Sequence, residues 1–144
     1  MNRRTLLKAG FVSLSLLAGC STLGVPKPRS DKQIRLEAVD VLNRRETEER
    51  FELAVEYEGD PIRVAERTIE GADDPSSPTG IEFSDWPDER GSYRFSFRLD
   101  GRERWLRVTP EDTGIRPENV DCYRMVFVIN LGDRLNALAQ GECS

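Results

Sequence analysis

Residues 92–109 read SYRFSFRLDGRERWLRVT, and apolar residues alternate with polar or charged ones on both sides of a single turn dipeptide. A period of two is what a strand with one buried face requires, and Asp100 and Gly101 tolerate the positive φ angles of a tight hairpin loop. With those two residues as the loop, paired positions sum to 201. Tyr93, Phe95, Phe97 and Leu99 then share a core face with Leu106 and Val108. The opposite face carries Arg94, Ser96 and Arg98 against Arg107, Trp105 and Glu103, with Arg98 across from Glu103.

The same alternation runs through Phe51, Leu53, Val55 and Tyr57, and resumes at Ile62 and Val64 after the turn residues EGDP. Ile34, Ala38 and Val41 are spaced as on a helix, but Ile and Val favour a strand there. Residues 71–91 read as a long loop rich in Pro, Ser and Asp, with a short strand at Ile81 to Phe83. A second hairpin is expected in residues 122–143, CYRMVFVINLGDRLNALAQGEC: with Gly132 and Asp133 as the loop, paired positions sum to 265, and so do Cys122 and Cys143. That puts the cysteines at a non-hydrogen-bonded pair, where backbones approach closely enough for a disulfide. A bridge closing about 20 residues stabilises by roughly 3 kcal/mol. The competing reading of residues 134–141 is a short helix, because Leu131, Leu135 and Leu138 have helical spacing, Ala137 and Ala139 favour one, and Gly141 would stop it.

About seven strands in about 110 residues suit two packed sheets. The expected fold is therefore all-β, an immunoglobulin-like antiparallel β-sandwich; the alternative is α+β with a short C-terminal helix. The likeness is architectural only. Antibody-type domains set a Trp between two cysteines that bridge the sheets, whereas here Trp86 and Trp105 both precede Cys122 and Cys143.

Ahead of this domain, Arg3, Arg4 and Lys8 form a positive region, residues 11–17 a short apolar run, and small residues precede Cys20, the layout of an export signal. The run is too short to span a bilayer, which takes about 20 apolar residues. Leu17, Ala18, Gly19 and Cys20 resemble the lipobox of lipoproteins, which implies that the Cys20 thiol is acylated and becomes the first mature residue. NRRTLLK at residues 2–8 resembles a twin-arginine export signal, with Asn2 where Ser or Thr is usual. The expected organisation is a cleaved signal peptide at 1–19, a lipid-attached flexible tether at 20–32 rich in Gly, Pro and Ser, and the β-sandwich domain at 33–144. A dozen flexible residues spans about 20 Å, so the domain stands just off the membrane's extracytoplasmic face.

Cleavage removes three positive charges and no acid, taking the net charge from −5 to −8. An acid-rich surface argues against nucleic acid as a partner. Arginine outnumbers lysine 18 to 3, and with acids this common the composition resembles that of small exported lipoproteins of halophilic archaea. No Asn-x-Ser/Thr sequon occurs.

The chain has no histidine, which removes the commonest general base and the imidazole ligands of most copper and catalytic zinc sites. Neither a nucleophile elbow nor a phosphate loop nor a dinucleotide fingerprint is present. No enzyme, metal or cofactor is expected. Asp73, Asp74, Glu82, Asp85, Asp88 and Glu89 supply hard oxygen atoms, but their spacing does not match a calcium loop and reads as a solvated acidic surface. One patch stands out: Trp105 flanked by Arg94, Arg98 and Arg107, basic and aromatic on an acidic domain. Either the arginines cover the indole themselves, or the patch docks an anionic partner such as lipid head groups, a wall polymer or an envelope protein. The functional expectation is a lipid-anchored, non-catalytic binding or structural module of the cell envelope; the alternative is an accessory or solute-capturing subunit of a transport or redox complex.

Overall fold

The computed structural model describes residues 34–116 and 120–141. Apart from one turn of 3-10 helix at Pro110–Thr113, every regular element among them is a strand: β1 (Ile34–Asn43), β2 (Glu49–Tyr57), β3 (Asp60–Ile69), β4 (Thr79–Phe83), β5 (Arg90–Gly91), β6 (Tyr93–Leu99), β7 (Leu106–Val108), β8 (Cys122–Ile129) and β9 (Leu135–Gln140). One sheet has the order β4-β1-β8-β9, with β5 also on β1; the other runs β3-β2-β6-β7. β1 and β8 are parallel and the remaining pairs antiparallel. The two sheets face each other across a single apolar core. The fold is thus a sandwich-like all-β domain, and the C-terminal helix of the alternative reading is replaced by β9.

The helix-like spacing at the front of the domain has a simple cause. Ile34 and Leu36 point inward, Glu37 is an extra residue in the ladder to β8, and Val39, Val41 and Asn43 then continue the inward face. A bulge moves the alternation by one position. The result imitates a period nearer 3.6 in a chain that is strand throughout.

Both expected hairpin registers need correction. Leu99 and Arg102 close a turn around Asp100 and Gly101, as anticipated, with Gly101 at φ +79°. Yet pairing resumes only at Leu106, and positions on β6 and β7 sum to 203 rather than 201. A two-residue slip leaves every side chain on its expected face, so the hydrophobic pattern cannot distinguish the two registers. Arg98 consequently stands near Trp105 and its ion pair is with Glu52 of β2, not with Glu103.

The β8–β9 pairs sum to 264 rather than 265. The loop is three residues, Leu131 to Asp133, closed by a 3.0 Å bond from the Asn130 amide to the Arg134 carbonyl, with Gly132 at φ +75°. This slip is by one, and it flips faces. The observed register sets Leu135, Ala137 and Ala139 opposite the buried Ile129, Phe127 and Met125; the expected one would have turned Asn136 and Gln140 into the core.

The core is an aromatic seam between the sheets. Phe97 of β6 stacks on Phe127 of β8 with centroids 4.9 Å apart, and Phe95 lies 6.1 Å from the same ring. Tyr93 meets Tyr123 edge-on at 6.4 Å, and Phe51 meets Phe83 edge-on at 6.2 Å. Burying each phenyl ring contributes about 1.5–3 kcal/mol.

Candidate functional site

β2, β6 and β7 lie side by side, so the outward residues of all three share one surface. Alternation along β6 sends Arg94, Ser96 and Arg98 outward while Tyr93, Phe95, Phe97 and Leu99 are buried. The register with β2 sets Glu56 beside Arg94 and Glu52 beside Arg98; the register with β7 sets Arg107 beside Ser96.

The four residues of the expected patch divide into two groups. At one end, the Arg98 guanidinium pairs with the Glu52 carboxylate and lies 4.3 Å above the centre of the half-buried Trp105 ring. Such a cation–π contact stabilises this face by about 0.5–1 kcal/mol, and it uses both groups internally. At the other end, Arg94 and Arg107 line an open depression of about 410 Å³ with Glu56, Ser96, Val108, Thr109 and Asp112. A second hollow of about 200 Å³, which shares Glu56, Arg94 and Thr109, continues it past Gly59 and Ser92.

Charge in the depression is only partly compensated. Arg94 and Glu56 are 3.9 Å apart with both side chains exposed, a separation at the limit of an ion pair and worth little in water. No ion pair or hydrogen bond of the Arg107 side chain occurs among the described residues. Asp112 is occupied: its carboxylate accepts the Thr109 amide at 2.8 Å, closing the first turn of the 3-10 helix whose Pro110 is preset for that turn. Two guanidinium groups over a concave floor suit a carboxylate or phosphate, which Arg binds through paired N–H donors.

Sequence reading located Arg94 and Arg107 but missed Glu56, Thr109 and Asp112. The segment TPED, with Pro one position inside and an acid two further on, was a legible helix-start signal. Glu56 joins the site only because β2 pairs with β6.

Three of the six acids of the long loop, Asp74, Glu82 and Asp88, serve the fold. Asp74 accepts the Ser76 amide at 2.9 Å and its hydroxyl at 2.8 Å, and these bonds hold the Asp74 carboxyl below its usual range. Asp88 pairs with Arg35 at 2.9 Å, and Glu82 joins Asp40 in pairing with Arg124. Among the described residues no three acids or cysteines converge as a metal site would require. Trp86 donates its indole N–H to the Phe83 carbonyl at 2.9 Å beneath the Arg63 guanidinium.

Cys122 is fully buried at the start of β8. Its expected partner Cys143, the lipid-attachment residue Cys20 and the signal residues Arg3, Arg4 and Lys8 lie outside the described residues. No helix among the described residues is long and apolar enough to cross a membrane. Compared with known proteins, the chain matches no family model and no curated sequence.

Proposed function

We propose that the protein is a lipid-anchored, non-catalytic binding module on the extracytoplasmic face of the cell membrane, with an immunoglobulin-like sandwich that engages an anionic envelope component through Arg94 and Arg107. The observation that carries the binding half is the depression itself: two exposed arginines, one without a partner among the described residues, on a chain with net charge −5. Desolvating a guanidinium against a carboxylate or phosphate yields charge-assisted hydrogen bonds that an all-acidic surface would not offer. Arg98 and Trp105 act as the support that holds the neighbouring strand in place, rather than as contacts.

The anchoring half rests on residues 2–20: acylation of Cys20 after twin-arginine export, a tether at 20–32, and a Cys122–Cys143 bridge that closes the C-terminal hairpin. The bridge fits an oxidising compartment and the burial of Cys122. The acid-rich, lysine-poor composition fits a protein that stays soluble where salt screens repulsion.

Two measurements test these halves separately. Mass spectrometry of the native protein from membranes should give a chain starting at Cys20 with added acyl mass and no alkylatable thiol; an intact leader ends the anchoring proposal. Titration with soluble polyphosphate or polygalacturonate at low salt should give binding that Arg94→Ala combined with Arg107→Ala abolishes. Absence of binding to both polyanions ends the other.

A further inference from the structure

The strands paired on one side only are β4, β5 and β9 in one sheet and β3 and β7 in the other, and an unprotected edge offers its free N–H and C=O groups to another chain. β5 is only two residues long, and three of the remaining four are guarded. β3 carries Pro61, Arg63, Glu66 and Arg67, and Arg63 folds over Trp86 while donating to the Ser84 carbonyl at 2.8 Å. β7 is three residues long and runs directly into the 3-10 turn. β4 is five residues with Glu82 pointing outward to Arg124.

β9 differs. Its six residues, LNALAQ, include no charge and no proline. The Asn130–Arg134 bond fixes the ladder: even-numbered residues of β9 bond to β8, so the backbone groups of Leu135, Ala137 and Ala139 point away from the sheet. Among the described residues no side chain bonds to them, and no backbone group outside the β8 ladder does. Those three residues face the core yet stay only half-buried, while Phe127 and Ile129 opposite them are fully buried, and Leu138 is 39% exposed on the outer face.

We propose that β9 is a homodimer seam at which a second copy of this chain adds its own β9 antiparallel, joining the two sheets into one. A two-fold axis at Ala137 uses every free group. It makes bonded pairs of Ala137 with Ala137 and of Leu135 with Ala139, and sets Asn136 beside Leu138 and Arg134 beside Gln140. On the core side each leucine meets an alanine, a large residue against a small one. No like charges meet across this seam, which for two acidic bodies is the condition that permits approach. A strand from another acid-rich protein would find a basic residue only at the margin of the seam, at Arg134, and none on β9 itself to select it. A second copy needs none, because its own β9 is equally neutral. Since the bodies repel, screening should favour the dimer, so association rises with salt.

Light scattering of the full chain in mild detergent, at micromolar concentration from low to molar salt, tests this. The expected result is a shift from monomer toward dimer as salt rises. Ala137→Pro removes an outward N–H without touching the β8 ladder and should give monomer at all salts. Leu138→Lys, which sets a charge beside the axis, is the second variant and should weaken the dimer at least tenfold. Both variants are checked for native circular dichroism. Wild-type monomer at every salt, a larger assembly than two, or two folded variants that dimerise like the wild type would each overturn the seam.

Discussion

Asn43 is the one fully buried polar side chain among the described residues. Its amide nitrogen donates to the Thr47 and Glu70 carbonyls at 2.9 and 3.0 Å, and its oxygen accepts the Arg45 amide at 2.9 Å, tying the β1–β2 turn to the end of β3. Asn43→Ala strands those groups and should cost about 2–3 kcal/mol in chemical denaturation. Asn43→Asp should cost more, because a carboxylate would face two carbonyl oxygens. Two other interior groups are the reverse case. The hydroxyls of Tyr93 and Tyr123 are buried without a hydrogen-bond partner among the described residues. Burial first, then the phenol of Tyr57 as it ionises and the carboxylates Glu58 and Glu89 for Tyr93, and the phenol of Tyr93 as it ionises and Glu111 for Tyr123, pushes both phenols above their usual range. A raised folded-state pKa means that the unfolded chain releases these protons first. The contribution is therefore fully present below about pH 10 and is lost above it, by up to about 1.4 kcal/mol per pH unit for each phenol. Tyr93→Phe and Tyr123→Phe should leave stability at pH 7 unchanged or raise it by up to about 1 kcal/mol, and should flatten its fall between pH 10 and 11. Nothing in a strand pattern announces either feature: alternation marks which residues face inward, not whether a partner waits there.

At the scale of elements, the legible part was the inward face of β2, β6 and β7, and the illegible part was register, which for β9 decides the face as well. Phe95, Phe97 and Phe127 were marked as core or strand residues by their spacing, and they form the seam between sheets. Phe127→Ala should cost about 3–5 kcal/mol and Phe127→Leu less than half of that, measured by denaturant unfolding. The β8–β9 hairpin shows why register escaped. A Gly–Asp pair is a fair two-residue turn signal, but it competes with the cost of burying Asn136 and Gln140, and the buried amides lose. Deletion of Leu135, which would set Asn136 opposite Ile129 and Gln140 opposite Met125, should unfold β9 selectively, seen as lost amide-exchange protection over the rest of residues 134–140 with β1 protection retained. The β6–β7 slip by two had no such penalty to reveal it. There the choice was made by contacts that cross strands, the Arg98 side chain seated between Glu52 and Trp105.

For the whole molecule, the ends of the sandwich are clasped by long-range polar contacts. Arg44 donates to the Pro75 carbonyl and the Asn130 side chain, both at 3.0 Å, while Arg45 reaches the Asn130 carbonyl at 2.8 Å, the Gly132 carbonyl and Glu49. The β1–β2 turn thereby holds the β8–β9 loop. Arg45→Ala should raise the exchange rate of that loop and lower stability by about 1–3 kcal/mol, more than an exposed ion pair would. With no histidine, stability should be level between about pH 6 and 8. On the acid side the Asp133 carboxyl, held low by Arg102, contributes above the carboxylate range and loses its contribution as pH falls through its folded-state value. By itself the amino-acid sequence determined that the domain is built of strands, which faces β2, β6 and β7 bury and that a basic pair stands on an acidic body, because these follow from side-chain period and charge, which are local. The tertiary structure alone decided the registers, the parallel β1–β8 pair, the division of the arginine patch and the edge at β9, whose outward backbone groups have no hydrogen-bond partner among the described residues. Each of those is a contest between contacts made by residues far apart in the chain.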